Sequence, residues 1–182
     1  MGLKSKLAYR ALNSRRNTVE REKKVVNLDS AQSIGILWEP DQENEFIKIN
    51  NELYMAGIKT SGLCYYPMKK AVVPEDVSGF TRKQTSWWLE IPKPQLVEDF
   101  IHQKFDILID LTGQQTFPVQ FITALSEASF KVGYAGTAEN YFDLNIEFQE
   151  KPTPSQLADQ ILYYLKRINK TTIEWHIHLK EP

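Results

Sequence analysis

One cysteine, three histidines and eight glycines are all that this 182-residue chain holds of three residue types on which much chemistry depends. A lone thiol, Cys64, excludes an internal disulfide and suits a reducing compartment, so a cytoplasmic location is expected. Cys64 lies between Leu63 and Tyr65 with no basic neighbour in sequence, which points to an inert thiol rather than a nucleophile. The glycines nowhere form Gly-x-Gly-x-x-Gly, Walker A is missing, and Gly35 stands alone near the first apolar segment. No apolar run approaches the ~20 residues of a membrane-spanning helix. The first residues mix bases into every turn and lack the apolar centre of a signal peptide. None of the three histidines stands in a recognisable nucleophile context, so no Ser–His–Asp arrangement can be inferred.

Hydrophobic residues at 42% and charged residues at 25% are the proportions of an ordinary globular protein. The net charge of −1 conceals an asymmetry: residues 1–24 carry eight bases against Glu20 and Glu22, a balance of +6, which leaves −7 for the rest. The expected organisation is a basic N-terminal helical arm over 1–30, an α/β domain over 31–170, and a strand or tail over 171–182.

Leu3, Leu7, Ala8, Ala11 and Leu12 share one face of a helix over 2–13. Beyond the arm, apolar patterning alternates between strand and helix. Ser33–Trp38 predicts the first core strand, 43–57 a helix, and Lys59–Tyr65 a second strand. A proline-rich interval follows, with an edge strand expected at Ser86–Leu89, then a helix over 95–104. Ile107–Leu111 is a nearly unbroken branched run, as expected of a strand buried on both faces. Pro118 opens a helix carrying Phe121, Ile122, Leu125 and Ala128, and Phe130–Gly133 is the next strand. Phe142–Phe148 predicts an edge strand, 154–169 a helix capped by Thr153, and Thr172–Leu179 an edge strand or loose tail. Strands alternating with helices predict a Rossmann-like three-layer α/β/α sandwich with a mostly parallel sheet.

Ile109-Asp110-Leu111, Ala124-Leu125-Ser126 and Lys131-Val132-Gly133 carry a resemblance. Through them residues 104–136 resemble the N-terminal half-domain of heptosyltransferase-type (GT-B) glycosyltransferases. That resemblance implies a sugar-nucleotide site between two such domains, whereas this chain has room for one. Where it implies a glycine-rich loop after the first strand, the chain has Leu37-Trp38-Glu39-Pro40-Asp41. From the basic arm through the Ile34–Trp38 strand to residue 133, the chain also resembles a small bacterial family of uncharacterised proteins, which implies no activity.

Asp110, Thr112, Gly113, Gln114 and Gln115 follow a central strand, where ligands bind in open α/β sheets. They supply a carboxylate, a hydroxyl and two amides for a sugar or nucleotide. The alternative is that Asp110 ties down the turn. Gly133 and Gly136 predict a turn near the same edge. Glu174, His176 and His178 would share one face of a terminal strand, for which a solvated edge explains the pattern without metal. No cofactor is expected. Trp87 and Trp88 adjoin a proline-rich stretch and are candidate partner contacts, as are Lys4, Arg10, Arg15 and Arg16 on the arm. The leading expectation is a non-enzymatic domain acting through protein contacts or self-association, its arm packed on the acidic body or on a second subunit. Two alternatives are a nucleotide or sugar binder, or weak glycosyltransferase-like protein, using 110–115, and a nucleic-acid binder using the arm.

Overall fold

The computed structural model describes residues 2–68, 70–113, 116–136 and 139–168. The elements run α1 (Leu3–Arg16), β1 (Ser33–Trp38), α2 (Glu43–Met55), β2 (Lys59–Tyr66), β3 (Gly79–Thr81) and α3 (Gln95–His102). Then come β4 (Ile107–Asp110), α4 (Phe117–Leu125), β5 (Phe130–Gly133), β6 (Leu144–Asn145) and α5 (Pro154–Arg167). The six strands form one sheet in the order β3-β2-β1-β4-β5-β6, and every pairing is parallel. The fold is the Rossmann-like α/β arrangement expected.

Alternation along the strands sorts the core into two layers. Ile34 and Ile36 of β1, Ile107 and Ile109 of β4 and Val132 of β5 pack beneath α2 and α5. Leu37, Leu63 and Leu108 point to the opposite face, where Phe100, Phe121 and Leu12 cover them. Gly35 belongs to this second layer for a steric reason: a Cβ there would sit 2.6 Å from the Phe105 ring. Its role is packing, not phosphate approach. α5 begins with a reciprocal cap, in which the Gln156 N–H donates to the Thr153 hydroxyl and the Thr153 N–H donates to the Gln156 side chain.

Helix α1 is part of the second layer and not a free appendage. Leu12 is fully buried against the α4 side, and Tyr9 packs edge-on against Phe117 and hydrogen-bonds Gln120. The helix runs three residues past the expected end, to Arg16. Arg15 and Arg16 in its last turn complement the negative end of the helix dipole.

Two expected strands differ. Ser86–Leu89 is a closed turn, not an edge strand: the Ser86 N–H donates to Ile91 O, the Glu90 N–H donates to Ser86 O, and Glu90 takes φ 57°. The edge strand is instead Gly79–Thr81, three residues too short to show a period. The strand expected over Phe142–Phe148 is confined to Leu144–Asn145, in register with Val132 and Gly133. The flanking Asp143 and Ile146 N–H groups still donate to Lys131 O and Gly133 O of β5, while the Asp143 carboxylate accepts from Arg21 and the Lys131 N–H and the Asn145 side chain accepts from the Ala135 N–H. The expected terminal segment Thr172–Leu179, with Glu174, His176 and His178, lies outside the described residues.

Candidate functional site

From β1 the chain proceeds outward to β2, whereas from β4 it proceeds the other way to β5, so the two neighbouring strands form a topological switch point. Crossover connections leave the sheet on opposite faces there, and a crevice opens beyond the strands' C-terminal ends. Leu37 pairs with Asp110 across this junction, which brings the segment after Trp38 beside the segment after Asp110. The resulting cavity, of about 120 Å³, is lined by Glu39, Asp41, Gln42, Leu111, Thr112, Gly113, Tyr134, Lys151, Pro152, Thr153, Pro154 and Leu157. Four stretches therefore build it: the turn after β1, the turn after β4, Tyr134 just beyond β5, and the start of α5.

Asp110 forms the foundation of this crevice. It is completely buried, and its carboxylate accepts from the Thr112 N–H at 2.8 Å, the Thr112 hydroxyl at 2.7 Å and the Thr123 hydroxyl at 2.7 Å. Those bonds tie the turn to α4 and present Thr112 and Gly113 at the cavity wall. Gly113 takes φ 66°, a left-handed conformation open to glycine at little cost. Its carbonyl accepts from the Gly136 N–H at 3.1 Å, so the turns after β4 and β5 meet. Gln114 and Gln115 lie outside the described residues.

Glu39 is the most perturbed acid of the crevice. Burial pushes its carboxyl up to about 7, nearby Asp41 and Asp110 add to the rise, and Lys151 opposes it. The position stabilises its turn through the backbone, whose N–H donates to the Gln42 side chain at 2.9 Å. A group balanced near neutrality can hold or release a proton beside a bound molecule. Cys64, by contrast, is buried and its thiol is pushed up to about 12 by burial, with Glu39, Glu43 and Asp41 adding to the rise, which leaves it inert as a nucleophile.

The candidate partner contacts are dispersed. Lys4 pairs with Glu90, and Arg15 makes a bidentate bond to Glu98 at 3.1 and 2.9 Å while lying over the Phe121 ring. Arg16 lies over the Tyr141 ring, 5.4 Å from its centroid. Arg10 flanks an open groove with Lys6 and Tyr9. Trp87 and Trp88 stack loosely at the Ser86–Leu89 turn and are 88% and 47% exposed, and neither lines the switch-point cavity. Among the described residues no group of three or more His, Cys, Asp or Glu is arranged to hold a metal ion, and no helix is long and apolar enough to cross a membrane.

Glu39, Asp41 and Lys151 are cavity residues that the strand-end argument did not single out. The signal for the first two was their place directly after β1, where related folds carry a phosphate loop. Lys151 is brought in only by the return of α5 across the sheet, and short-range patterning carries no sign of it.

Residues 4–168 match the model of a family described only as being of unknown function. No curated protein and no solved structure matches.

Proposed function

We propose, from the premise that the chain belongs to the family of unknown function DUF6913, that it binds a small hydroxylated or amine-bearing molecule at the switch point. The observation that carries this reading is the cavity between the ends of β1 and β4, whose lining includes Glu39, Asp41, Thr112 and Lys151. Carboxylates accept hydrogen bonds from sugar hydroxyls or an ammonium group and disfavour phosphate, while Lys151 can donate to a sugar oxygen. A cavity of about 120 Å³ suits one ring, such as a monosaccharide or the ribose of a nucleoside. Pockets that enclose larger ligands start at roughly 300 Å³. The setting in this reading is cytoplasmic, in keeping with the single buried thiol.

Protein-observed NMR with a panel of monosaccharides, nucleosides and polyamines tests it. The expected result is a saturable shift of the Thr112 and Gly113 amides by one panel class, weakened at least tenfold by Glu39→Gln, a loss of about 1.4 kcal/mol. No shift at these amides from any compound overturns the reading.

A second reading, contact with a protein partner or a second copy, is favoured by Trp87, whose large apolar ring is almost wholly exposed beside that of Trp88. Here Trp87→Ala abolishes self-association seen by sedimentation velocity. A wild-type chain that stays monomeric at every concentration rules out the second-copy form.

A further inference from the structure

A second cavity, of about 230 Å³, opens where the end of α1 and the segment after it meet the start of β5, and four cations and one carboxylate are among its lining residues. Arg16, Arg21 and Lys23 enter from the arm, Lys131 from β5, and Tyr141 and Asp143 from the connection to β6. Arg21 and Asp143 neutralise each other through a bidentate pair at 2.7 and 2.6 Å, with side chains only 11% and 19% exposed. That leaves three cations. Among the described residues no carboxylate stands within ion-pair distance of Arg16, Lys23 or Lys131.

Lys131 is 2% exposed, a costly place for an ammonium group. Its Nζ donates to Thr123 O at 2.7 Å and Ala124 O at 3.2 Å, carbonyls at the C-terminal end of α4. An ammonium has three N–H donors, so one is left over. Tyr141 adds a second, independent vacancy: the residue is 7% exposed, and its hydroxyl is buried without a hydrogen-bond partner. Unspent buried donors beside surplus positive charge are the complement of an anion with several acceptor oxygens.

We propose that this junction binds a small tetrahedral oxyanion of the phosphate type, free or as a monoester, with Arg16 and Lys23 closing on it from the arm and Lys131 and Tyr141 receiving it on the body. The site is independent of the switch-point crevice. It also ties occupancy to the arm, because half of its cations belong to the segment that follows α1.

Burial pushes the Lys131 amine down to about 7, and Arg21, Arg16 and Lys23 push the same way while Asp143 opposes them. Other titratable groups near the junction are Glu139 and Tyr9, both of which act electrostatically on Tyr141. An arriving anion favours the charged amine, so binding is expected to strengthen as pH falls through about 7.

The test is a titration of the full chain with inorganic phosphate, glycerol phosphate and sodium chloride at equal ionic strength, read by thermal shift and by amide exchange in α1. Saturable stabilisation by either phosphate, with slowed exchange in α1, is expected. The double variant Arg16→Ala/Lys23→Ala, altered only at exposed positions, is expected to lose at least about tenfold in affinity, since tenfold is already less than the worth of one of the two charge-assisted bonds removed. Tighter binding of glycerol phosphate identifies a monoester, and equal binding a free anion. Sulfate, whose charge is constant over the range, is expected to bind more tightly at pH 6 than at pH 8.5 in the wild type and equally at both in Lys131→Met. A response that chloride reproduces, or that survives in the double variant, overturns the proposal.

Discussion

The switch-point crevice and the arm junction sit on one small sheet and carry opposite charge, yet burial acts on both in the same way. Glu39 in the acidic crevice is raised to about 7, and Lys131 in the basic junction is lowered to about 7. Each is the group whose charge is hardest to solvate, and each is pushed further by neighbours of its own sign. Their surroundings differ in construction, however. Asp110 beneath the crevice has its bonds satisfied within a few residues and by α4, so that wall is rigid. The junction is assembled from two distant parts of the chain held by Arg21 and Asp143, so it exists only while the arm is docked. Burial and a pair of hydrogen bonds from Arg21 and the Lys131 backbone compete at Asp143, and the bonds prevail, holding its carboxyl below the usual range.

The largest expected effect separates the regions by undocking the arm. Leu12→Ala removes a fully buried side chain and is expected to destabilise the protein by about 3 kcal/mol in urea denaturation. The phosphate response should vanish with it while the crevice amides keep their positions. A loss under about 1 kcal/mol would show that the arm is an accessory to the fold. Asp110→Ala attacks the other region: three donors lose their acceptor, for a cost on the order of 3 kcal/mol, and here phosphate binding should persist.

Next in size is a contrast in pH dependence. Glu39 has a folded-state value of about 7 against 4.5 unfolded, so its contribution to stability is complete below 4.5 and is lost as pH rises to about 7. Glu39→Gln should flatten that decline and raise stability at pH 8 by on the order of 2 kcal/mol, partial exposure allowed for. Lys131 has a folded-state value of about 7 against 10.5 unfolded, so its contribution is present above 10.5 and is lost as pH falls to about 7. Denaturation curves across both windows should show two slopes of opposite sign, each removed by its own variant. The smallest effect is Lys4→Ala, which breaks a half-exposed pair with Glu90 and should cost about 0.5 kcal/mol or less.

The long apolar periodicities made the layers legible in advance. Ile107–Leu111 and Phe130–Gly133 are strand segments whose composition admits little else, and Thr153-Pro154 marks the start of α5. Gly79–Thr81 was hidden because a three-residue strand has no period to detect. Trp87 and Trp88 suggested a strand by β-propensity, and the Ser86–Ile91 and Ser86–Glu90 bonds closed a turn instead. At the site, Asp110 and Thr112 were visible from their place after a buried strand, although Asp110 serves the turn from below. The partnership of Arg16 with Lys131 and Tyr141 depends on contacts across more than a hundred residues of chain, which no local pattern encodes.

That span also sets an order of events during synthesis. Tyr9 reaches Gln120 and Arg21 reaches Asp143 across 111 and 122 residues. Helix α1 is thus made first and placed near the end, after α4 and the residues beyond β5 have emerged. Until then the nascent chain carries a cationic helix whose apolar stripe has no cover, and closing so long a loop comes late and slowly. In temporal terms, an arm made early waits for Gln120 and Asp143 before its contacts with the body can form.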